Sequence, residues 1–315
     1  MARKLRVEYP GAVYHVMNRG DRRKPIFKDD ADRQRFVATL DKACAKTGWQ
    51  VHAYVLMPNH FHLVVETPQP NLVAGMKWLL GTYTSRFNRR HRLFGHLFCG
   101  CYKSLIVDGS GSGYLKSVCD YVHLDPALAK LVAADAPLKG FAWSSWPEYL
   151  RAPSRRPARL RVDRLLGGWG IPKDSPAGRQ WLEQALEARR GAAEGEEFKP
   201  IRRSWCLGGE VFRQELLAQM SRRMGEHHYG LERAESAEER AARIVEEELA
   251  RAGWTEGKLR QRPKGDTIKV AAATRLRRET TMTLKWISQR LEMGAWTHLK
   301  RRLYEQRRSE GETPS

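Results

Sequence analysis

The sequence predicts a mixed α/β domain followed by a mostly helical region. Two short apolar runs, Val51–Met57 and His60–Glu66, are rich in strand-forming residues and joined by Pro58-Asn59, the composition of a hairpin turn. Helix-length stretches follow, one from near Asn71 to Arg92 and one from Tyr114 to Asp125. Beyond Leu150 the spacing of apolar residues is helical.

The first strand is expected before Arg19. Gly109-Ser-Gly-Ser-Gly113 lacks the Gly-Lys-Ser/Thr of a phosphate-binding loop and reads as a flexible lead into the Tyr114 helix, which Pro126 should stop. Arg151 to Pro157 is a basic, proline-punctuated linker. Ser175-Pro176 has the N-cap and first-turn chemistry of a helix running to about Arg190, and Ala192 to Glu197 is a polar connector. Phe198 to Met224 contains Trp205-Cys-Leu-Gly-Gly and an amphipathic tail, with no chemistry legible in it. Ala241, Ile244, Val245 and Leu249 form one stripe of a helix between Glu232 and Ala250.

Chemistry concentrates in Met57-Pro-Asn-His-Phe-His-Leu-Val-Val-Glu66. Side chains two apart on a strand share a face, so His60 and His62 can reach one metal ion while Phe61, Leu63 and Val65 turn into a core. Taken alone, such a pair is more often structural. Tyr121 and Asp125 stand four apart on a helix and so share one face.

Met57 to Glu66 resembles the His-hydrophobic-His motif of the HUH endonuclease superfamily, in particular the single-tyrosine transposases of the insertion-sequence-200 kind and, among these, the REP-associated tyrosine transposases. Four further segments carry the resemblance in the family's order: Tyr9-Pro-Gly-Ala-Val-Tyr-His-Val-Met-Asn-Arg-Gly20, Ile26-Phe-Lys-Asp-Asp30, Gly95-His-Leu-Phe98 with Tyr102-Lys103, and Tyr121-Val-His-Leu-Asp-Pro126. Together they span roughly the first 150 residues. The resemblance implies a ferredoxin-like domain over residues 1–150, an antiparallel sheet backed by helices on one face with the metal and tyrosine on the other. It places Gly100 to Val107 on a strand beside the one bearing the histidines.

It also implies a reaction. Tyr121 would attack a phosphodiester of single-stranded DNA, leaving a 5′-phosphotyrosyl link and a free 3′-hydroxyl, with Mg2+ or Mn2+ held by His60, His62 and Asp125. The substrates implied are hairpin-forming palindromic elements, and the protein a monomer or a homodimer that exchanges the tyrosine helix. Family members usually carry asparagine where this chain has Asp125. The carboxylate is a stronger ligand for a hard cation and also repels a phosphate. A DNA-binding regulator that no longer turns over is the competing expectation.

Other candidates are weaker. Tyr114 lies beside the glycine-rich loop, Tyr14 and Tyr54 suit strand packing, and His15 and His123 read as structural or DNA-contacting. Cys99 and Cys101 could join His60 and His62 in a tetrahedral zinc site, although no Cys-x-x-Cys is present.

Residues 151–254 are expected to form a linker and helical region, and 255–315 a helix-turn-helix-like module. In the latter, Ile268–Arg278 and Leu284–Leu291 read as helices, with a turn at Glu292-Met-Gly294 leading to a recognition helix from Trp296 to Tyr304. That helix would expose Thr297, His298, Lys300, Arg301 and Arg302.

Composition fits a nucleic-acid partner: 56 Lys+Arg against 36 Asp+Glu give a net charge of +20. Arg19, Arg22, Arg23 and Lys24 form one cluster and Arg86, Arg89, Arg90 and Arg92 another; of these, all but Arg92 are, with Lys103, expected to contact DNA. Five cysteines without disulfide-like spacing fit a reducing cytoplasm, where the protein would be nucleoid-associated. No apolar run approaches the ~18 residues of a membrane span, and the N-terminus lacks a signal-peptide core.

Overall fold

The computed structural model describes residues 7–111, 113–192, 198–225 and 237–309. Strands β1 (Ala12–Arg19), β2 (Gln50–Met57), β3 (His60–Thr67), β4 (Lys103–Val107) and β5 (Cys206–Leu207) form one sheet in the order β2-β3-β1-β4-β5. The first four pair antiparallel, and β5 adds to β4 in parallel through two residue pairs. The antiparallel pairing expected of residues 1–150 is present, and β5, from outside that range, does not extend it. Nor does β4 flank the histidine strand: its neighbour is β1. The expected hairpin is present, with Met57 opposite His60 across Pro58-Asn59.

Helices α1 (Asp30–Thr47) and α2 (Leu72–His91) precede β4, and α3 (Tyr114–Leu128) follows it. Sequence reading gave no helix at α1; Asp29 caps it by accepting from the Asp32 amide. One face of the sheet meets aromatic side chains of α1 and α2, with Phe36 4.9 Å from Phe61 and 5.0 Å from Tyr83 between ring centroids. The other face meets α3: Val13, Val55 and Val64 share a core with Leu115, Val118 and Val122. Pro126 does not stop α3 at Asp125. It lies in the last turn, and the helix ends three residues past Asp125, at Leu128.

Past residue 150 the chain stays in the same body. Short α4 (Trp146–Tyr149) and α5 (Asp163–Gly168), α6 (Pro176–Ala192) and α7 (Lys199–Arg203) lead to β5 and then α8 (Glu210–Gly225). Trp146, Leu165, Leu182, Leu186, Phe198 and Ile201 join the α3 core. Bridges Val55–Ser144 and Val51–Leu160 cover the outer edge of β2, which would otherwise be open to pairing. Ser175 caps α6 as expected, accepting from the Gly178 amide at 3.1 Å. The connector at 193–197, the start of the Glu232 helix and Ser112 in the glycine loop lie outside the described residues.

Two compact units result: Met1–Cys44, Gly48–Pro70 and Leu79–Glu232 in one, Ala45–Thr47, Asn71–Trp78 and Arg233–Ser315 in the other. Residues 160–201 complete the first core, and α9 (Ala237–Ala252) belongs to the second. In that second unit α9, α10 (Glu256–Gln261), α11 (Thr267–Glu279), α12 (Leu284–Arg290) and α13 (Trp296–Ser309) enclose Ile244, Val245, Leu276, Ile287, Met293 and Leu299. The turn before α13 uses left-handed backbone at Glu292 (φ 51°) and Gly294 (φ 78°). Buried Lys269 donates to the carbonyls of Arg262 (3.1 Å) and Glu292 (3.2 Å), fastening that turn to α11. Among the described residues no helix is long and apolar enough to cross a membrane.

Glu66 pins the downstream segment to the sheet. His52 Nε2 lies 3.0 Å from its carboxylate, Arg161 donates at 3.1 Å and Arg164 at 2.7 Å. Hydrogen bonding to His52, then to Arg164, lowers the Glu66 pKa from 4.5 to about 2. A depressed carboxylate stabilises the fold above its unfolded pKa, and that contribution is lost as pH falls from about 4.5 through about 2. Glu66→Gln should therefore lose about 2–3 kcal/mol in denaturant melts at pH 7, with the gap to wild type closing across that acid window.

Candidate active site

The register of β1, β2 and β3 builds the site. His62 sits opposite Met17 and Val55, and His60 opposite Arg19 and Met57, so both imidazoles face α3. From α3, Asp125 brings Oδ2 to 3.7 Å from His60 Nε2 and 3.8 Å from His62 Nε2. Those separations are too long for hydrogen bonds. They suit three ligands of one ion, because atoms ~2.0–2.2 Å from a common centre lie at most ~4.4 Å apart. The ligand atoms of His60, His62 and Asp125 all fall within 4.8 Å of one another. Asp125 Oδ2 is buried and has no hydrogen-bond partner among the described residues.

Each histidine is oriented through its other nitrogen. His62 Nδ1 lies 2.9 Å from His15 Nε2, and His60 Nδ1 lies 2.8 Å from the Asn59 side-chain oxygen. With Nε2 of both imidazoles turned to Asp125, the network assigns the proton to Nδ1, which donates to His15 and to Asn59. Burial holds His15 down at about pKa 4, so its ring is neutral and can accept. Burial, reinforced by the neighbouring His15 and His60 and by Arg202, holds His62 well below its ordinary value, leaving it in the neutral form that binds metals.

Tyr121 is 4% exposed and packs edge-on to His62 at 5.5 Å and to His15 at 5.9 Å. Burial raises its pKa and Asp125 raises it further, while a hydrogen bond and positive charge from Arg202 pull it down. The Arg202 guanidinium lies 5.5 Å from the Tyr121 ring centroid, and Phe198 packs on the same ring at 5.2 Å. Sequence reading missed both residues because the segment carries no motif, only basic residues around Phe198. It is β5, hydrogen-bonded to β4, that brings this segment back to the tyrosine. Next to Tyr121, buried Asp120 turns away to Lys116 (2.9 Å), Trp169 (3.1 Å) and Arg189, anchoring the helix.

The competing residues are engaged elsewhere. Tyr14 donates to Val7, Tyr54 to Glu148, and His123 lies 2.8 Å from the Ser145 hydroxyl. Cys99 and Cys101 are exposed and outside the His–His–Asp cluster. Of the expected DNA contacts, Arg19, Arg22, Arg23, Lys24, Arg89, Lys103, Thr297, Lys300 and Arg301 are exposed, and His298 is half-buried. Arg86 bonds Thr39, Arg90 pairs with Asp29 and Asp32, and Arg302 pairs with Glu305.

Residues 9–124 match the family model described as "Transposase IS200 like". The sheet, the tyrosine helix and the histidine pair are thus those of a transposase-like, DNA-processing domain. The match likens this segment to the IS200-like transposases and covers no residue beyond Leu124. A solved structure titled "Structure of the REP associates tyrosine transposase bound to a REP hairpin" is similar at 14% identity and a TM-score of 0.40, over 56% of this chain and 97% of that one. No curated protein matches the chain.

Removing the Arg202 side chain withdraws the hydrogen bond and the positive charge that lower the Tyr121 pKa. Arg202→Ala should therefore move Tyr121 ionisation to still higher pH, read from the ring-carbon NMR signal of labelled tyrosine identified by its loss in Tyr121→Phe.

Proposed function

We propose that the protein cleaves and rejoins single-stranded DNA at hairpin-forming palindromic elements, in the manner of REP-associated tyrosine transposases. The observation that carries this reading is the convergence of Tyr121 with His60, His62 and the unpartnered oxygen of Asp125. Tyr121 Oη attacks the phosphorus, the bond from phosphorus to the 3′-oxygen breaks, and that oxygen leaves as a 3′-hydroxyl. The phenolic proton is released, and the 5′ end stays on the protein as a phosphotyrosine. Attack by another 3′-hydroxyl reverses the step and returns the phenol, so no nucleotide is consumed.

His60, His62 and Asp125 offer two nitrogens and a carboxylate, a set suited to Mg2+ or Mn2+. Such an ion, when bound, polarises the phosphate and offsets the charge that develops on it. The protein's own part is orientation. His15 and Asn59 fix the imidazoles, Phe198 and His62 hold the phenol ring, and Arg202 stands beside the phenol, where it also attracts a phosphate. Exposed Arg19, Arg22, Arg23, Lys24, Arg89 and Lys103 would take the DNA backbone.

The decisive experiment incubates wild type and Tyr121→Phe with labelled single-stranded hairpins from palindromes flanking the encoding gene, in Mg2+ or Mn2+. The expected result on a denaturing gel is a protein–DNA adduct that disappears in Tyr121→Phe and after chelation. One observation favours the second reading, a DNA-binding regulator: Asp125 adds negative charge beside a buried tyrosine whose pKa is already raised. Tight hairpin binding with no adduct from any palindrome would support that alternative.

We further assign duplex binding to the second unit, with α12, the Glu292–Gly294 turn and α13 as a helix-turn-helix. Thr297, Lys300 and Arg301 are exposed on α13. Lys300→Ala and Arg301→Ala should each weaken duplex binding across sequences and reduce the slope of log affinity against log salt by about 1. Unchanged slopes would remove these residues from the phosphate contacts.

A further inference from the structure

Phe94 is 98% exposed, the most exposed of the large apolar side chains in the described residues. A lone exposed aromatic is unremarkable on most surfaces. This one stands on a loop held at both ends. On one side the Leu93 amide bonds the Asn88 carbonyl at 2.9 Å, and the Asn88 side chain reaches the Gly95 carbonyl at 3.0 Å. On the other, Phe98 is buried against Phe61 and Tyr83. The backbone presenting Phe94 is therefore fixed while its ring is bare.

The loop also adjoins the active site. The Asp21 amide bonds the Leu97 carbonyl and the Cys99 amide bonds the Arg19 carbonyl, both at 2.9 Å, while Gly20 bridges to Phe98. Arg19 is in turn paired with His60, and the Gly20 amide bonds the Asn59 carbonyl at 2.8 Å. Two strand spacings, roughly 10 Å, thus separate His60 from the strand-like segment at 98–99, about three nucleotides of stacked rise. His60 is the more exposed of the two paired histidines, its side chain 28% exposed against 6% for His62. Around this path stand Arg19, Arg22, Arg23, Lys24, Arg89 and Arg92, all exposed. Arg22, Arg23 and Arg92 occupy left-handed backbone (φ 51°, 60° and 54°), a conformation a non-glycine residue holds only under constraint.

A rigidly mounted bare ring among exposed arginines matches one ligand chemistry: an unpaired nucleobase on a polyanionic strand, since every base offers a face to an aromatic ring. A bilayer needs a broader apolar face than Phe94 and the neighbouring exposed Leu93 supply. We propose that Phe94 is a stacking platform for a base of the single strand leading to or from the Tyr121 site, with the arginines holding the intervening phosphates. The inference rests on the single-strand reading given above.

Fluorescence anisotropy with labelled oligothymidylate tests it without a known target, in a Tyr121→Phe background so that no adduct forms. Phe94→Ala should weaken binding about five- to twentyfold, Phe94→Trp should retain it, and both should melt like their parent. A duplex, whose bases are already stacked, should bind all three within about twofold. Oligonucleotides carrying 5-iodouracil should photocrosslink to the peptide containing Phe94.

Oligothymidylate bound equally by Phe94→Ala overturns the proposal and leaves the single-strand reading standing. The same conclusion follows if single-strand and duplex affinities fall equally. A dimer that Phe94→Ala converts to monomer, with single-strand affinity intact, assigns the ring to a second copy and likewise overturns it. No binding of oligothymidylate by the parent protein also overturns the proposal, and the hairpin reading is then decided by the adduct experiment.

Discussion

The site depends first on the register set by the two-residue turn at Pro58-Asn59. With Met57 opposite His60 and Arg19 on the other side, every second residue of β3 from His60 onward faces α3. A slip of one residue would exchange the faces, sending both imidazoles into the layer of Phe36 and Tyr83 and turning Phe61 toward Asp125. Few folding errors of that size would survive, because Phe61, Leu63 and Val65 are buried on one side and His62 and Val64 on the other. The same packing that stabilises the sheet therefore places the ligands.

The site concentrates polar groups where water is scarce. His15, His62, Tyr121 and Asp125 are all buried, and burying a polar atom without a partner costs about 1–3 kcal/mol. The neighbours meet most of that demand: Asn59 for His60, His15 for His62 and Arg202 for Tyr121. Asp125 Oδ2 is left without one among the described residues. The unmet demand thus falls on the atom that two imidazole nitrogens also face, which is why we read the arrangement as preorganised rather than merely packed.

How much of this was legible in the sequence follows from the range of each interaction. The hairpin, the histidine pair and the spacing of Tyr121 and Asp125 depend on period-two and period-four rules, and they emerged directly. The helical second unit emerged from its apolar stripes in the same way. The helix at Asp30–Thr47 did not, because polar residues, Asp32, Thr39, Lys46 and Thr47, occupy part of its buried face and interrupt the apolar stripe. Arg202 and Phe198 were out of reach altogether. Their position depends on a two-residue parallel pairing between β4 and β5, a contact of long separation that leaves no periodic trace. His15 was visible as a residue yet not as the partner of His62, since the diagonal contact across β1 and β3 needs the register before it can be seen.

That late pairing has a consequence for how the protein is made. The histidine strands and the tyrosine helix leave the ribosome well before Phe198, Arg202 and β5 do. Translation at roughly 5–20 residues per second must continue for several seconds after Tyr121 is synthesised before the segment that covers it exists. During that interval the nascent chain lacks the guanidinium and the aromatic wall beside its phenol. Synthesis order thus separates the appearance of the catalytic side chains from the completion of their surroundings.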